Sequence, residues 1–507
     1  MKELQFQIND TILTHSPDGW DSTMLEIDRS PKFLGIVRSF TVQLKFVLEG
    51  AELLRSIFYN RLQSETKLTI RKLHPITLQY ETVYTGVFDF SSFVDSEYNV
   101  TITVTDLTLS NIIKKNMDTS YLILFLSHLV FYVPSNTGGL EKPVQAIKFS
   151  TFLELIFDKV TEGRYTSGEF GLDMSRLTAY ENILDPVFIT NAMGLIGARF
   201  DRVEISFADF MKLIYVLYDM VMVLDVVDGK DTMRLCYTYE AFPAVASTPI
   251  SNLSQIKLSV AKDFIYDTIK VGHQEQTYDT ETDTTLEIGT TSNFLNSSGF
   301  ISKQELDLQT PFRADTIGIN EYLALYGEVL DSVDYTTFLV HVNHKTITGI
   351  DWAAEYGYVG ATNPPTNHNQ FNTFISPKRL LELHENFINS TYFGNSTEIE
   401  FVSAPMNVPQ LYTKDPVFEA VKLEGSGLTR LTNPLFIPIY IEFEGTLPDG
   451  IDLASFYNPE NSLLSFDYKG ETYTAYIVNI KTNLYGKNKS TFKLLSSATN
   501  DLSKLIR

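Results

Sequence analysis

Residues 204–239 read EISFADFMKLIYVLYDMVMVLDVVDGKDTMRLCYTY, a helical pattern that runs straight into a hairpin pattern. Ser206 is an N-cap with Asp209 three residues on, a start resembling a capping box that satisfies otherwise orphan amides. Phe207, Phe210, Met211, Ile214, Leu217, Tyr218 and Val221 then recur at the 3.6-residue period, so one helix face must lie against a sheet. Met222 to Val227 is apolar apart from Asp225, Asp228-Gly229 is a tight-turn pair, and Met233, Leu235, Tyr237 and Tyr239 alternate on the return strand. This is a local folding module, with strand-rich sequence on both sides. It carries no chemistry of its own.

A chain of 507 residues exceeds what one core holds, so three or four domains are expected. Aromatics at 13%, with 35 Phe and 27 Tyr, favour strands over helices. The formal charge of -22 argues against a protein that grips nucleic acid through its phosphates, which needs a concentrated basic surface. Solubility accounts for that charge, although an acidic wall would also let DNA slide past without sticking. The single cysteine, Cys236, excludes an intramolecular disulfide or a thiolate cluster and reads as a core filler. Met1 to Asp10 has no signal-peptide pattern, and Tyr121 to Val133, the longest apolar run, is too short for a bilayer. The expectation is synthesis in a cytoplasm, with no membrane span.

Four segments follow. Residues 1–110 read as a small β-barrel or sandwich: Val42, Leu44, Phe46 and Leu48 alternate, as do Val100, Ile102 and Val104, and Glu49-Gly50 ends a strand. Ala51 to Leu62 is a short amphipathic helix with Leu53, Leu54, Ile57 and Phe58 inward, and His74-Pro75 breaks the next strand pattern. Residues 111–200 read as an extension of that domain, in which the 121–133 run is either a strand pair or a helix. Residues 201–330 hold the helix–hairpin module and a polar arm from His273 to Asn296. Residues 331–507 are β-rich, with Leu463 to Tyr468, a turn at Lys469-Gly470, and Thr472 to Ile480. Ser376-Pro377 there starts a helix with Leu380, Leu381, His384 and Phe387 on one face. The fold class is therefore mainly β, a multidomain β-rich α+β chain.

Candidate chemistry is sparse. His341 and His344 are the one close histidine pair, but a spacing of three puts them on opposite faces of a strand, away from a shared metal. Asp279, Glu281 and Asp283 lack the glycine and the bidentate glutamate of a calcium loop, so a solvated loop explains them better. Asp351-Trp352 with Glu355 and Tyr356 could line a sugar groove, yet two tryptophans in the whole chain make packing the favoured reading. Phosphate loops, nucleophile elbows and zinc-protease motifs are absent. The sequence names no catalytic, cofactor or metal residue and predicts no enzyme.

Three stretches carry a family resemblance. They are Trp20, Leu25, Ile27, Arg29 and Gly35 with Val42-Gln43-Leu44-Lys45-Phe46 and Gly50; Ser206-Phe207-Ala208-Asp209-Phe210; and Asn372 to Ser390 with Ser376-Pro377-Lys378-Arg379-Leu380-Leu381. Together they resemble the baseplate hub, or tail-tip, proteins of tailed phages and prophages, especially those of gut-bacterial phages. The resemblance implies two small tube-like β-barrel domains in one chain, so that a homotrimer, or a hexamer, matches a six-fold ring. It implies a virion protein, made in the host bacterial cytoplasm, that joins the tail tube to distal tail and tip or spike proteins. The acidic balance would then suit a channel wall for genome ejection. Any wall-degrading activity is expected on a separate protein. The rival readings are a carbohydrate-binding or glycan-processing β-protein, which the missing signal peptide disfavours, and a ring or adaptor protein between portal and tail.

Overall fold

The computed structural model describes residues 4–504 except 21–23, 30–34, 40, 61–64, 74–77, 107, 125–129, 133–143, 184–186, 198–201, 228–229, 246–247, 267, 274–275, 279–285, 289–291, 297–303, 314–321, 323–324, 326, 328–335, 342–379, 381–382, 392–397, 400, 404–427, 430–433, 449–455, 457, 484–488 and 502. The chain is mainly β, and its two tube-like sheets close differently.

The first uses β1 (Leu4–Ile8), β2 (Thr11–Ile12), β5 (Thr41–Val47), β6 (Lys67–Leu73), β7 (Tyr80–Ser96) and β8 (Asn99–Asp106), ordered β2-β1-β6-β7-β8-β5. Between β2 and β5 in sequence lie β3 (Met24–Arg29) and β4 (Ile36–Ser39), which leave for the other sheet. Alternation builds the inner face: Leu4, Phe6 and Ile8 face Leu68 and Ile70, while Phe46, Phe88, Val100, Ile102 and Val104 fill the opposite wall. The segment after β2 bridges the two sheet edges. Leu13 N–H donates to Phe6 at 2.8 Å, and Asp18 exchanges backbone bonds of 2.7 and 3.2 Å with Lys45 on β5. The sheet is thereby wrapped into a half-closed barrel.

Helix α1 (Leu48–Tyr59) packs Ala51, Leu54 and Ile57 against this barrel. It starts earlier than the sequence predicts. Glu49-Gly50, expected to end a strand, forms the helix's first turn, because Leu48 at φ +46° redirects the chain directly after Val47. Gly50 fits closely there, since a Cβ would sit 3.1 Å from Phe46 Cδ1.

The middle of the chain forms a second core. Its elements are α2 (Leu109–Asn116), β9 (Ser120–Leu124), β10 (Val130–Tyr132), β11 (Val144–Lys148), α3 (Phe149–Val160), β12 (Gly171–Asp173), α4 (Ser175–Ile183), β13 (Val187–Asn191) and α5 (Ala192–Leu195). The module follows as β14 (Arg202–Ser206), α6 (Phe207–Tyr218), β15 (Met220–Val227) and β16 (Lys230–Tyr237). Ser206 Oγ accepts from Asp209 N–H at 3.0 Å, the expected cap. Helix α6 buries more than one face: Leu213 and Val216 are as enclosed as Phe210 and Ile214, with Phe149 and Phe152 each 4.9 Å from the Phe210 ring. Asp219 at φ +52° ends the helix and leads at once into β15. Strands β15 and β16 pair from Met220↔Tyr237 to Val227↔Lys230, so Asp228-Gly229, outside the described residues, is all that separates them. Tyr239 departs from expectation: it lies in a 3-10 turn, Thr238–Ala241, half exposed, because the chain leaves the sheet at Tyr237.

The chain continues through β17 (Thr248–Val260), β18 (Thr268–His273), β19 (Gln276–Tyr278), β20 (Leu286–Ile288), β21 (Ser292–Asn296), β22 (Glu305–Thr310) and β23 (Thr337–His341). Strand β18 pairs with β21 and β19 with β20, so the described parts of the 273–296 segment form an extended hairpin. Helix α7 (Glu385–Thr391) and the short β24 (Glu398–Ile399), β25 (Phe401–Ser403) and β26 (Leu428–Thr429) come next, then β27 (Phe436–Thr446), β28 (Leu463–Tyr468), β29 (Glu471–Asn483) and β30 (Ser490–Ser497).

The last four strands and β17 form the second barrel, a closed ring: β17 pairs β27, β27 pairs β30, β30 pairs β29, β29 pairs β28, and β28 returns to β17 in a short parallel ladder. Phe443, Phe466 and Phe492 fill it, with ring centroids 5.0–5.1 Å apart around Phe443. Strand β3 adds to β29, pairing Ile27 with Ile480, and β4 adds to β3. The two barrels share one buried cluster, whereas residues from Leu109 to Phe242 belong mostly to the core around α6. Pairings thus cross the linear segments 1–110, 111–200, 201–330 and 331–507. No described helix is long and apolar enough to cross a membrane.

Candidate functional site

Most residues that the sequence offers for chemistry lie outside the described residues: His344, Asp279, Glu281, Asp283, Asp351, Trp352, Glu355 and Tyr356; the expected helix start at Ser376-Pro377 lies outside them too. His341 ends β23 opposite Val187. Among the described residues no group of three His, Cys, Asp or Glu side chains is placed to hold a metal. Cys236 is buried in the hairpin, and burial pushes its thiol up to about 12, the behaviour of a core filler.

His384 lies, as its helical spacing requires, on the buried side with Leu380 and Phe387. Its Nε2–H donates to Val216 O at 3.1 Å, its Nδ1 is 3.1 Å from Asp219 Oδ1, and its ring is 4.6 Å from that of Tyr215. This ties α7 to the C-terminal end of α6, where orphan carbonyls need donors.

A cleft opens beside the N-terminal half of α6. This cleft, of about 860 Å³, is bounded by Met117, Asp118, Ser120 and Glu204 on one side, Asp209, Lys212 and Tyr215 of α6, Glu305 and Asp307 of β22, and the rings of Tyr266, Phe312 and Phe387. The α6 cap thus forms part of its wall. Lys212 reaches Asp307 at 2.5 Å and Lys270 reaches Glu305 at 2.6 Å, while Glu204 accepts from Ser120 Oγ at 3.2 Å. Burial raises both phenols in the wall, Tyr215 well above its ordinary value and Tyr266 to about 12, with Asp263 adding to the second. Both therefore stay neutral. The lining is acidic and aromatic, a surface that suits a cation better than an anion.

One residue is more telling structurally than its place in the sequence suggested. Arg29 of β3 is 4% exposed, donates from Nε to Ile477 O at 2.9 Å and from Nη1 to Ala241 O at 3.1 Å, and lies 4.7 Å from the Phe242 ring centre. It clamps the N-terminal strand, the end of the module and the second barrel together, and burial lowers it to about 10. A charged residue in an otherwise alternating strand was the available signal, since buried Arg needs partners.

No protein-family model matches the chain, and no curated protein sequence matches it. Among the solved structures similar to it are phage and prophage tail proteins and baseplate components, together with a Francisella PdpA-VgrG complex. The prophage tail protein gp18 from Listeria monocytogenes EGD-e is 9% identical, with 100% of this chain and 98% of that one covered at a TM-score of 0.36. The prophage MuSo2 43 kDa tail protein from Shewanella oneidensis is 10% identical, with 98% and 97% covered at 0.35. The tail protein from Neisseria meningitidis MC58 is 7% identical, with 97% and 96% covered at 0.34.

Proposed function

We propose that this chain is a structural protein of a phage tail tip or baseplate hub, acting by symmetric assembly rather than by catalysis. The observation that carries the reading is the pair of β-barrels in one chain, one half-closed through residues 11–18 and one closed strand to strand, joined by a continuous core. Two barrels per chain let three copies present six barrels, which is how a trimer would meet a six-fold tail tube on one face and a three-fold tip or spike on the other. Of the stretches that resemble hub proteins, Leu25, Ile27 and Arg29 enter the second barrel's sheet and Val42 to Phe46 lie in the first, Ser206 to Phe210 open α6 in the other core, and most of Asn372 to Ser390 lies outside the described residues.

In this reading the charge of -22 faces a lumen through which DNA passes without adhering, and the hairpin arm at 273–296 reaches a neighbouring subunit. Light scattering on the purified chain, alone and mixed with the tail-tube protein of the same virion, tests it. A trimer that binds the tube protein is expected. A monomer at every concentration that also ignores the tube protein overturns the reading.

A further inference from the structure

We propose that the ribbon β9–β14 and the acidic cleft at its end form one docking strip for an extended, basic segment of another protein. Along β9, Ile123 is buried, while Leu122 and Leu124 on the other face are 45% and 56% exposed. Their cross-strand neighbours on that face are Glu204 and Arg202. Among the described residues β9 pairs only with β14, so no described strand covers its far edge. A two-stranded ribbon with an open, leucine-bearing edge is a template for a third strand.

A second open edge in the molecule is protected. Beyond Ile250, among the described residues, β17 pairs only with β27, and it carries the exposed Lys257 and register breaks with Asn252 and Gln255 at φ +54° and +59°. Those are devices that discourage strand addition. On β9 the corresponding outward side chains are leucines. The difference marks β9 as an edge meant to be used.

Charge selects the occupant. Ser120 and Glu204 belong to both the ribbon and the cleft, and the cleft sets the carboxylates of Asp118, Glu204, Asp209, Glu305 and Asp307 against the ammonium groups of Lys212 and Lys270. Arg202 stands at the opposite end of the ribbon, beside Leu124. The strip therefore takes a segment with apolar residues over Leu122 and Leu124 and Lys or Arg over the cleft, main-chain pairing supplying adhesion and charge fixing its direction. This holds whether or not the chain belongs to a tail.

The test is calorimetric titration of the full chain with a short acetylated, amidated peptide bearing two leucines at one end and two lysines at the other, made in both orders. One order binds saturably at one per chain. Leu122→Ser with Leu124→Ser, and separately Asp118→Asn with Glu204→Gln, each weaken it about tenfold or more. Removing equal charge from the first barrel, by Asp10→Asn with Glu52→Gln, changes it less than about twofold. A glutamate-for-lysine peptide does not bind. Unchanged melting temperatures verify that the variants fold. Saturable binding by neither order, equal binding of the glutamate peptide, or undiminished affinity in the leucine variant overturns the proposal.

Discussion

The first barrel takes all its strands from residues 4–106 and closes through a short crossing segment, whereas the second collects strands from residues 248–260 and 436–497 and closes by direct ladders. One is assembled from neighbours in sequence, the other from distant parts of the chain. Local pairing costs less loop-closure entropy, so the first barrel should form early and the second only once the middle of the chain meets its C-terminal strands. Strand β3 belongs by position to the first and by hydrogen bonding to the second. The two barrels are thereby prevented from folding as independent beads.

The largest expected effect breaks the second barrel from inside. Phe443→Ala removes a ring packed against Phe466 and Phe492 and should cost about 3–5 kcal/mol in denaturant melts. Because β3 hangs on β29, hydrogen exchange should rise in residues 24–29 as well as in 436–497. Exchange confined to 436–497 would mean that the barrels are less coupled than their shared core implies.

Next comes the clamp between them. Arg29→Ala leaves the carbonyls of Ile477 and Ala241 without their donor and opens a void beside Phe242, a loss of about 3 kcal/mol by the same melts. Arg29→Lys should recover only part of it, because an ammonium cannot span both carbonyls as the planar fork does. Full rescue by lysine would contradict the geometric role.

The first barrel has its own weak point. A Cβ at Gly86 would meet the Tyr84 side chain and Val104 Cγ1 at 2.7 Å or less, so Gly86→Val should destabilise by about 1–3 kcal/mol through overpacking, with exchange rising chiefly in residues 4–106. The same signature in the second barrel would show that closure of one requires the other.

How much of this was legible in the sequence divides along the same line. Alternation such as Leu4, Phe6, Ile8 or Val100, Ile102, Val104 shows which face of a strand is buried, and Ser206 with Asp209 marks a helix start, because these are local signals. None of them names a partner strand. Backbone hydrogen bonds are alike everywhere, so the joining of β3 to β29 and the parallel return of β28 to β17 were invisible. The 121–133 run, open between a strand pair and a helix, contains parts of two strands that pair with different partners, β9 with β14 and β10 with β11. The cleft was unreadable for the same reason: Asp118, Glu204 and Asp307 are far apart in sequence, and the fold alone brings them together. His384 was readable as part of a helix face, but its partner Asp219 was not.

The smallest effect is a pH dependence of the first barrel. Burial pulls the Glu49 carboxyl up, but bonds from the His15 ring and backbone and from its own backbone outweigh this and hold it down at about 2. A depressed carboxyl contributes stability that is complete above its unfolded value, near 4.5, and is lost as the pH falls towards about 2. The pair is partly solvent-screened, so the contribution is under about 1 kcal/mol. Glu49→Gln should flatten the acid limb of a melting-temperature profile between those values and leave it unchanged near neutrality.

The central claim is that two barrels in one chain serve to build a ring. Electron cryomicroscopy of the purified assembly measures this directly: the account predicts three chains about a three-fold axis, with six barrels around an open channel and acidic side chains towards it. Single chains, or a closed particle whose barrels share no common axis, would contradict it.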